Sequence, residues 1–594
     1  MPKTGDARPQ AQYPAAASLQ DRFMQGVALH QQLKLADAER IYIEVLQHQP
    51  NHFDALHLLG VIAIQTKRTV RGTELITKAI GLNAKVAAAH SNLGNALRDL
   101  KRAEDALASY DRAIALKPDS AETYYNRGLA LQDLKRPEDA LASYDKAIAL
   151  KPDFADAYNN RGLALRDLKR PEDVLASYDK VIALNPDYAE AHNNRGIALR
   201  DLKRPEDALA NHDRAIALKP DYAEAHYNRA LALQDLNCIE DALASYDKAI
   251  ALKPDYADAF VSQSLFFLMM GRFEQGWRQY EWRKKQNKPI APRTYPRPLW
   301  LGEQNIEGKT LFIHWEQGLG DLIQFCRYAK LAADLGARVI LEAPKPLMSL
   351  LTTLSGVAQL IEAGSPLPPF DYQCPLLSLP LAFKTTLSSI PATIPYLKCN
   401  LEKSRLWKER LGERHKRKVG LVWSGGLRPN QPEMWFIDSR RNIPLDKLAV
   451  LKHPDIDFYS LQKGEPAESE LAELIRHNWE GPHIVDFTSQ LNDFSDTAAL
   501  VENLDLVVTV DTSTAHLAGA LGKPVWILNR FDTCWRWLLN RNDSPWYPTV
   551  KLYRQEKAGH WDDVVRRIKM DLDVFSARPD RAAVASGHFG QARG

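Results

Sequence analysis

The sequence predicts an all-α helical-repeat superhelix followed by an α/β region of two lobes. Three observations predict it. Prolines recur in register at Pro50, Pro118, Pro152, Pro186, Pro220 and Pro254, a step of 34 or a multiple of it, with Ala84 in the one missing slot. The periodicity changes after the proline-rich stretch "QNKPIAPRTYPRPLW" (Gln286 to Trp300). Beyond it, short β-branched runs alternate with helical stretches, and several of these runs end in glycine- or hydroxyl-rich loops.

Each repeat reads as two helices. Small residues return at Gly94, Gly128, Gly162, Gly196 and Ala230, and a second small set at Ala106, Ala140, Ala208 and Ala242, with Val174 as the exception. A ring follows four residues later: Tyr110, Tyr144, Tyr178, His212 and Tyr246. Small residues let two antiparallel helices approach, and the ring fills the space beside them. In "KRPEDALASY" the proline suits the first turn of the second helix, and Glu–Asp suits its positive end. One such pair cannot bury its apolar face alone, so copies stack. A 34-residue unit with these marks resembles the tetratricopeptide repeat. Complete units run from about Leu19 to Pro254, with a divergent closing unit over "FVSQSLFFLMMGRFEQGWRQYEWRKK".

Asn92, Asn126, Asn160, Asn194 and Asn228 take the sixth place of successive units, on the first helix. A primary amide offers both donor and acceptor, which suits the backbone of an extended protein client. The other reading is that asparagine is simply common at this place in such repeats. Both stay open at this stage.

In the second half, "KTLFIHWEQGLGDLIQFCRYAKLAADLGARVILEA" reads as strand, glycine loop, helix, strand. "LEKSRLWKERLGERHKR" reads as a charged helix. The strands expected after it lie in "KVGLVWSGG", "DIDFYSLQKG", "HIVDFT", "LDLVVTVDTSTAHLAGALGKPVWILNR" and "TVKLYRQ". Candidate chemistry sits at their C-terminal ends, where open α/β sheets bind ligands. Gly318 and Gly320 let a ligand approach the backbone, and Asp321 stands at the helix mouth as a candidate general base. Asp511, Thr512, Ser513 and Thr514 open a helix whose N–H groups suit phosphate, with His516 one turn on as a second candidate catalytic residue. Ser424 and Gly425 lie in a small-residue loop, Arg440 and Arg441 can pair with phosphate, and Gln462 and Lys463 add donors. The bland alternatives are a capped turn, a packed histidine and solvated arginines.

"GLGDLIQF", then "ARVILEA", and later "DTSTAHLAGALGKPV" resemble the signature regions of the heptosyltransferase-like family 9 glycosyltransferases, over roughly Lys309 to Ile568. The layout, repeats joined to such a module, is similar to that of protein O-GlcNAc transferases, whose repeats carry an asparagine ladder, and of bacterial flagellin glycosyltransferases. The resemblance implies a GT-B fold with two Rossmann-like lobes. It also implies a nucleotide-sugar donor on the C-terminal lobe and inversion without a metal or other cofactor. It places Asp321 at the family's base-like aspartate, and Asp511, Thr512, Ser513 and His516 on its D-T-G-x-x-H run, with Ser513 replacing the glycine. Arg441 falls where heptosyltransferases carry a phosphate-binding lysine, which keeps the charge and changes its geometry. "NRFDTCWRWLLNRNDSPWYP" departs from heptosyltransferases and resembles the repeat-fused relatives. Trp535 and Arg536 are expected either to flank sugar or client or, for Trp535, to pack at the lobe seam.

The expected division is a tail over 1–18, repeats over 19–285, a linker over 286–306, an N-terminal lobe over 307–400, a C-terminal lobe with the donor site over 401–574 and a tail over 575–594. The near-neutral balance of +3 argues against general capture of nucleic acid. No run reaches the ~20 apolar residues of a membrane helix. The start lacks an apolar signal core. Five scattered cysteines without a CxxC read as reduced core thiols, neither disulfides nor a zinc site, which makes the cytoplasm the expected location. The predicted function is transfer of sugar to serine or threonine hydroxyls of a client, flagellin among the candidates. The alternatives are transfer to lipopolysaccharide or another glycan, and a scaffold with an inactive transferase half. The sugar, its nucleotide and the oligomeric state are not fixed by the sequence.

Overall fold

The computed structural model describes residues 18–286, 293–412, 415–426, 440–476 and 479–577. The predicted tails fall outside these residues except at their inner ends, as does the linker stretch 287–292. Ser18 caps the first helix through a capping box with Asp21. At the other end the helix Asp562–Ala577 runs into the first residues of the expected tail.

The chain divides into two compact units, 1–236 and 237–594. The first unit is a tetratricopeptide-repeat superhelix. Its helices run from Leu19–Gln31 to Ala223–Asp235. The ring positions are the reason the repeats close. A Cβ placed on Gly94 would lie 2.6 Å from the Tyr110 ring, and one on Gly196 would lie 2.6 Å from His212. Tyr110 and Tyr144 are fully buried, as expected of residues that fill the space a missing side chain leaves. The turn between the two helices of a unit carries a left-handed residue each time, at Lys101 (φ 60°), Lys135 (φ 57°), Lys169 (φ 56°) and Lys203 (φ 59°).

The second unit opens with the helices Ile239–Leu252, Ala257–Met269 and Phe273–Tyr280. They are followed by two wholly parallel sheets. The first holds β1 (Thr310–His314), β2 (Arg338–Ala343), β3 (Val357–Glu362) and β4 (Tyr372–Pro375) in the order β3-β2-β1-β4. The second holds β5 (Arg417–Val422), β6 (Ile456–Ser460), β7 (Ile484–Asp486), β8 (Leu506–Val510), β9 (Val525–Asn529) and β10 (Val550–Arg554) in the order β10-β9-β8-β5-β6-β7. Strands buried on both faces explain the near-continuous apolar runs, such as the fully buried Leu506–Val510. Every strand segment expected from the sequence is present. The charged stretch forms the helix Leu401–Arg410.

One apolar core runs through both sheets and the closing helices of the repeat region. It joins Trp277, Leu311, Phe325, Ala515, Trp535 and Trp546. The five cysteines are unpaired, but only Cys326 and Cys374 are fully buried. Cys238 is exposed, which corrects the expectation of core thiols there: it stands in the turn before the helix Ile239–Leu252, as its N-cap.

Among the described residues no helix is long and apolar enough to cross a membrane.

Candidate functional site

In the six-stranded sheet, connections run one way from β5 through β6 to β7 and the other way from β8 through β9 to β10. The neighbours β5 and β8 therefore form the point where the winding reverses. A crevice opens beyond the carboxyl ends of such a pair, and ligands of doubly wound sheets bind there. Ser424 and Gly425 follow β5, and Asp511 and Thr512 follow β8. Arg441 spans the two strand ends by donating from Nη1 to the Asp511 carbonyl at 3.3 Å. Gly425 leaves room for the Arg441 guanidinium, which a Cβ there would displace. Its N–H donates to Asn442 Oδ1 at 2.8 Å, which pins the loop. Arg440 instead pairs with Asp532 at 3.0 Å.

Thr512 is the N-cap of the helix Ser513–Ala520, with extended backbone and no side-chain cap bond. Its hydroxyl lies 3.1 Å from that of Thr509. The first N–H groups of a helix have no intrahelical acceptor and carry the positive end of its dipole. This places Asp511, Thr512, Ser513, Thr514 and Arg441 around one strand-to-helix turn.

Gln462 and Lys463 are used differently from the sequence expectation of free donors. Gln462 is buried, and its Oε1 accepts from the Trp423 and Ser424 N–H groups at 3.2 and 2.9 Å. Lys463 donates to the carbonyls of Thr488, at 3.2 Å, and Leu491. Both brace loops, because buried backbone groups at these strand ends need partners.

The four-stranded sheet reverses its winding between β1 and β4, and the loop after β1 carries the other motif. Glu342 accepts from the Trp315 N–H at 3.2 Å, and Gln317 takes a left-handed φ of 64° just before Gly318. Asp321 turns back, and its Oδ2 accepts from the Gly318 N–H at 3.0 Å. Its Oδ1 is held by Arg536, from 215 residues away in sequence. Arg536 also donates to Gln324 Oε1 at 2.9 Å and lies 4.4 Å over the Trp535 ring. Burial opposes the charge on Arg536, but Asp321 together with Cys534, Asp511 and Tyr280 outweighs it and raises its pKa. Trp535 itself is core: it meets Trp277 edge-on at 5.2 Å.

The two motifs touch. A Cβ on Gly320 would lie 3.0 Å from His516 Cδ2 and 3.4 Å from Ser513 Cα, so a glycine is what lets the Leu319–Phe325 helix rest on the Ser513 helix. His516 is 4% exposed, stacks on Trp537 at 5.4 Å, and holds the Tyr547 hydroxyl with Nδ1 at 3.0 Å. Burial pushes its pKa down to about 4, so it is neutral at physiological pH. Tyr547 lies within 3.4 Å of the Tyr396 hydroxyl, and Tyr396 accepts from Arg327 at 2.8 Å. Arg327 also donates to the carbonyls of Pro391 and Trp546. This chain ties the region between the two sheets to His516. Nothing in the local sequence signals it, because its members are scattered over roughly 220 residues.

The asparagines of the repeats share one bonding pattern. Nδ2 of Asn92 reaches His57 at 3.0 Å, that of Asn160 reaches Tyr125 at 2.9 Å, that of Asn194 reaches Asn159 at 3.4 Å and that of Asn228 reaches Asn193 at 3.0 Å. Each partner lies 35 residues earlier, on the first helix of the preceding unit. The amides thus stitch neighbouring repeats. These four and Asn126 are all half-buried.

Among the described residues no group of three or more His, Cys, Asp or Glu is placed to hold a metal ion.

Comparison with known proteins finds two kinds of match in different parts of the chain. Tetratricopeptide-repeat profiles match residues 94–135, 121–154, 155–188, 177–210, 198–237 and 223–256. The profile described as "Glycosyltransferase family 9 (heptosyltransferase)" matches residues 460–528. That match includes the Asp511–His516 run and ends at β9; Asp321 lies outside it. Protein FlbA of Caulobacter vibrioides is 28% identical over 342 residues, 53% of this chain and 55% of FlbA. The chain therefore spans about half the length of that relative. Among solved structures, YrrB, described as a TPR protein with an unusual peptide-binding site, is 28% identical and is covered in full by 32% of this chain, with a TM-score of 0.29. PilF of Pseudomonas aeruginosa is 20% identical, with 92% of it covered by 34% of this chain and a TM-score of 0.31. The chain joins tetratricopeptide repeats to a family 9 glycosyltransferase region.

Proposed function

We propose that the protein is an inverting, metal-independent glycosyltransferase of GT-B type that moves sugar from a nucleotide-sugar to a hydroxyl of a protein client bound by its repeats. The observation that carries this reading is the contact of Gly320 with Ser513 and His516. It sets the loop of one winding reversal against the helix start of the other.

In this reading the donor pyrophosphate lies at the Thr512–Thr514 N–H groups, with Arg441 beside it. As the bond from sugar to nucleotide breaks, negative charge grows on the leaving phosphate. Preorganised N–H groups and a guanidinium stabilise that charge without a cation. Asp321 takes the proton of the attacking serine or threonine hydroxyl. Arg536 fixes the orientation of its carboxylate, and the second oxygen keeps lone pairs beyond the one given to Gly318. His516, neutral and clamped by Tyr547, shapes the wall behind the donor and brings no charge.

The asparagine row supports a polypeptide client. Each amide that bridges repeats through Nδ2 keeps its carbonyl oxygen for a further donor. Flagellin is one candidate client.

The test is transfer from a panel of nucleotide-sugars, with the intact chain compared with Asp321→Asn. Transfer that stops in the variant, with donor binding retained, supports the reading. Normal transfer by Asp321→Asn removes the base assignment.

A further inference from the structure

The repeats share a second, half-exposed pattern that the last unit breaks. In three successive units an arginine on the first helix joins an aspartate of the preceding helix to a polar residue of the next. Arg127 Nε donates to Asp111 at 2.7 Å and Nη1 to Ser143 at 2.7 Å. Arg161 does the same with Asp145, at 2.6 Å, and Ser177, at 2.7 Å. Arg195 joins Asp179, at 2.7 Å, to Asn211, at 3.2 Å. In the unit that closes the repeat region the corresponding residues are Asp247, Gln263 and Gln279, each 68 residues beyond Asp179, Arg195 and Asn211.

Gln263 is buried and donates from Nε2 to Asp247 Oδ1 at 2.7 Å. It has as many bonds from the backbone to Nε2 as arginine has to Nε. It therefore reproduces the first contact and stops where arginine continues to Cζ and the two Nη atoms. The second contact is missing: Gln279 Oε1 is buried and has no hydrogen-bond partner. A cavity of about 370 Å³ lies between these residues, lined by Asp247, Gln263 and Gln279 together with Phe267 and the rim residues Arg272 and Arg278. The rim cations are engaged: Arg272 covers the Phe267 ring at 4.5 Å and donates to Gln275, and Arg278 meets Glu274 at 3.4 Å. The carboxylate of Asp247, exposed like its counterparts, faces a neutral amide where they face a guanidinium.

We propose that this cavity is a recognition site for one arginine side chain of a partner polypeptide. The inserted guanidinium would donate to Gln279 Oε1, restoring the contact that Gln263 is too short to make, and would add a charged donor for Asp247 beside the Gln263 amide. The repeats themselves show that this pair of acceptors fits a guanidinium. An exposed carboxylate beside a buried, unpaired amide oxygen offers two acceptors that suit a planar multiple donor better than a compact ammonium. The site is independent of the donor region and of the asparagine row.

The full-length protein tests this by thermal unfolding in the presence of N-acetyl-arginine amide, with N-acetyl-citrulline amide as the uncharged isostere. The arginine compound is expected to raise Tm in a saturable way and the citrulline compound to leave it unchanged. Gln263→Arg supplies the missing guanidinium from within. It is expected to raise Tm without ligand and to abolish the response. Asp247→Asn leaves the cavity open, so a response at least tenfold weaker is expected even if Gln263→Arg folds poorly. Equal responses to the two compounds, or an undiminished response in Asp247→Asn, would overturn the proposal.

Discussion

Arg536 holds the carboxylate of Asp321, although the two residues are 215 apart in sequence and follow strands of different sheets. Both are largely buried, with 14% of each side chain exposed. A buried pair broken on one side leaves an uncompensated charge, which costs about 3–5 kcal/mol. Arg536→Met is thus expected to lower Tm by several degrees and to reduce transfer. The double variant Arg536→Met with Asp321→Asn is expected to recover part of the lost Tm and none of the transfer. Thermal unfolding beside a transfer assay reads both. A double variant no more stable than Arg536→Met would show that the pair does not matter to folding.

Gly320→Ala should act on the contact between the two motifs. The added methyl meets His516 at 3.0 Å, and the cost of such overpacking is about 1–3 kcal/mol. Much of that strain is expected to move the Asp321 helix away from the Ser513 helix. Transfer should fall at least tenfold, with donor affinity changed less than threefold by calorimetry. Unchanged transfer would mean that the motifs need not touch.

Arg441→Ala and Gly425→Ala should behave alike. The first removes the guanidinium, and the second displaces it by steric collision. Loss of a hydrogen bond to a charged group costs about 1.5–3 kcal/mol, so donor affinity is expected to drop about ten- to a hundredfold in both. Gly425→Ala that binds donor normally would take Arg441 out of the donor site.

Three buried histidines predict acid lability. Burial pushes His314 and His516 down to about 4 and His212 to about 3, each from an ordinary value of 6.5. The unfolded chain therefore binds protons that the folded chain refuses. The stability these neutral rings contribute is complete above pH 6.5 and is lost as pH falls from 6.5 through 4. The loss is on the order of 3 kcal/mol per ring. His212 stands where neighbouring repeats have tyrosine, and its Nε2 is buried without a partner. His212→Tyr is expected to flatten the fall in Tm between pH 7 and 4.5. An unchanged pH profile would contradict the assignment.

The asparagine row offers a different readout. Changing Asn92, Asn126, Asn160, Asn194 and Asn228 together to alanine removes the bridges to preceding units. It should lower both client affinity and the cooperativity of unfolding of the repeats. Retained client binding in a folded variant would leave the amides with the stitching role alone.

Much of this architecture was legible because it is periodic or local. The register of Pro118 to Pro254 gave the repeats, and the pairing of Gly94 with Tyr110 follows from spacing. The strands were visible because doubly buried strands are nearly all apolar, and the Asp511–His516 run announced its own turn. Partnerships across the fold were not legible. The capture of Asp321 by Arg536, the use of Gln462 as a backbone brace and the chain from Arg327 to His516 depend on which loops the folded sheets bring together. No spacing encodes that. Gln263 is a middle case: the substitution was in plain view within the repeat, but its meaning appears only with the contacts that Arg127, Arg161 and Arg195 make elsewhere.

The most direct test of the central claim is thermal unfolding of the intact chain against nucleoside diphosphates, nucleoside monophosphates and their sugars, run beside Arg441→Ala. The reading of the β5–β8 strand ends as the donor site predicts that one nucleotide class raises Tm in a saturable way and that Arg441→Ala blunts the rise. No rise with any of them, or an equal rise in Arg441→Ala, would contradict it.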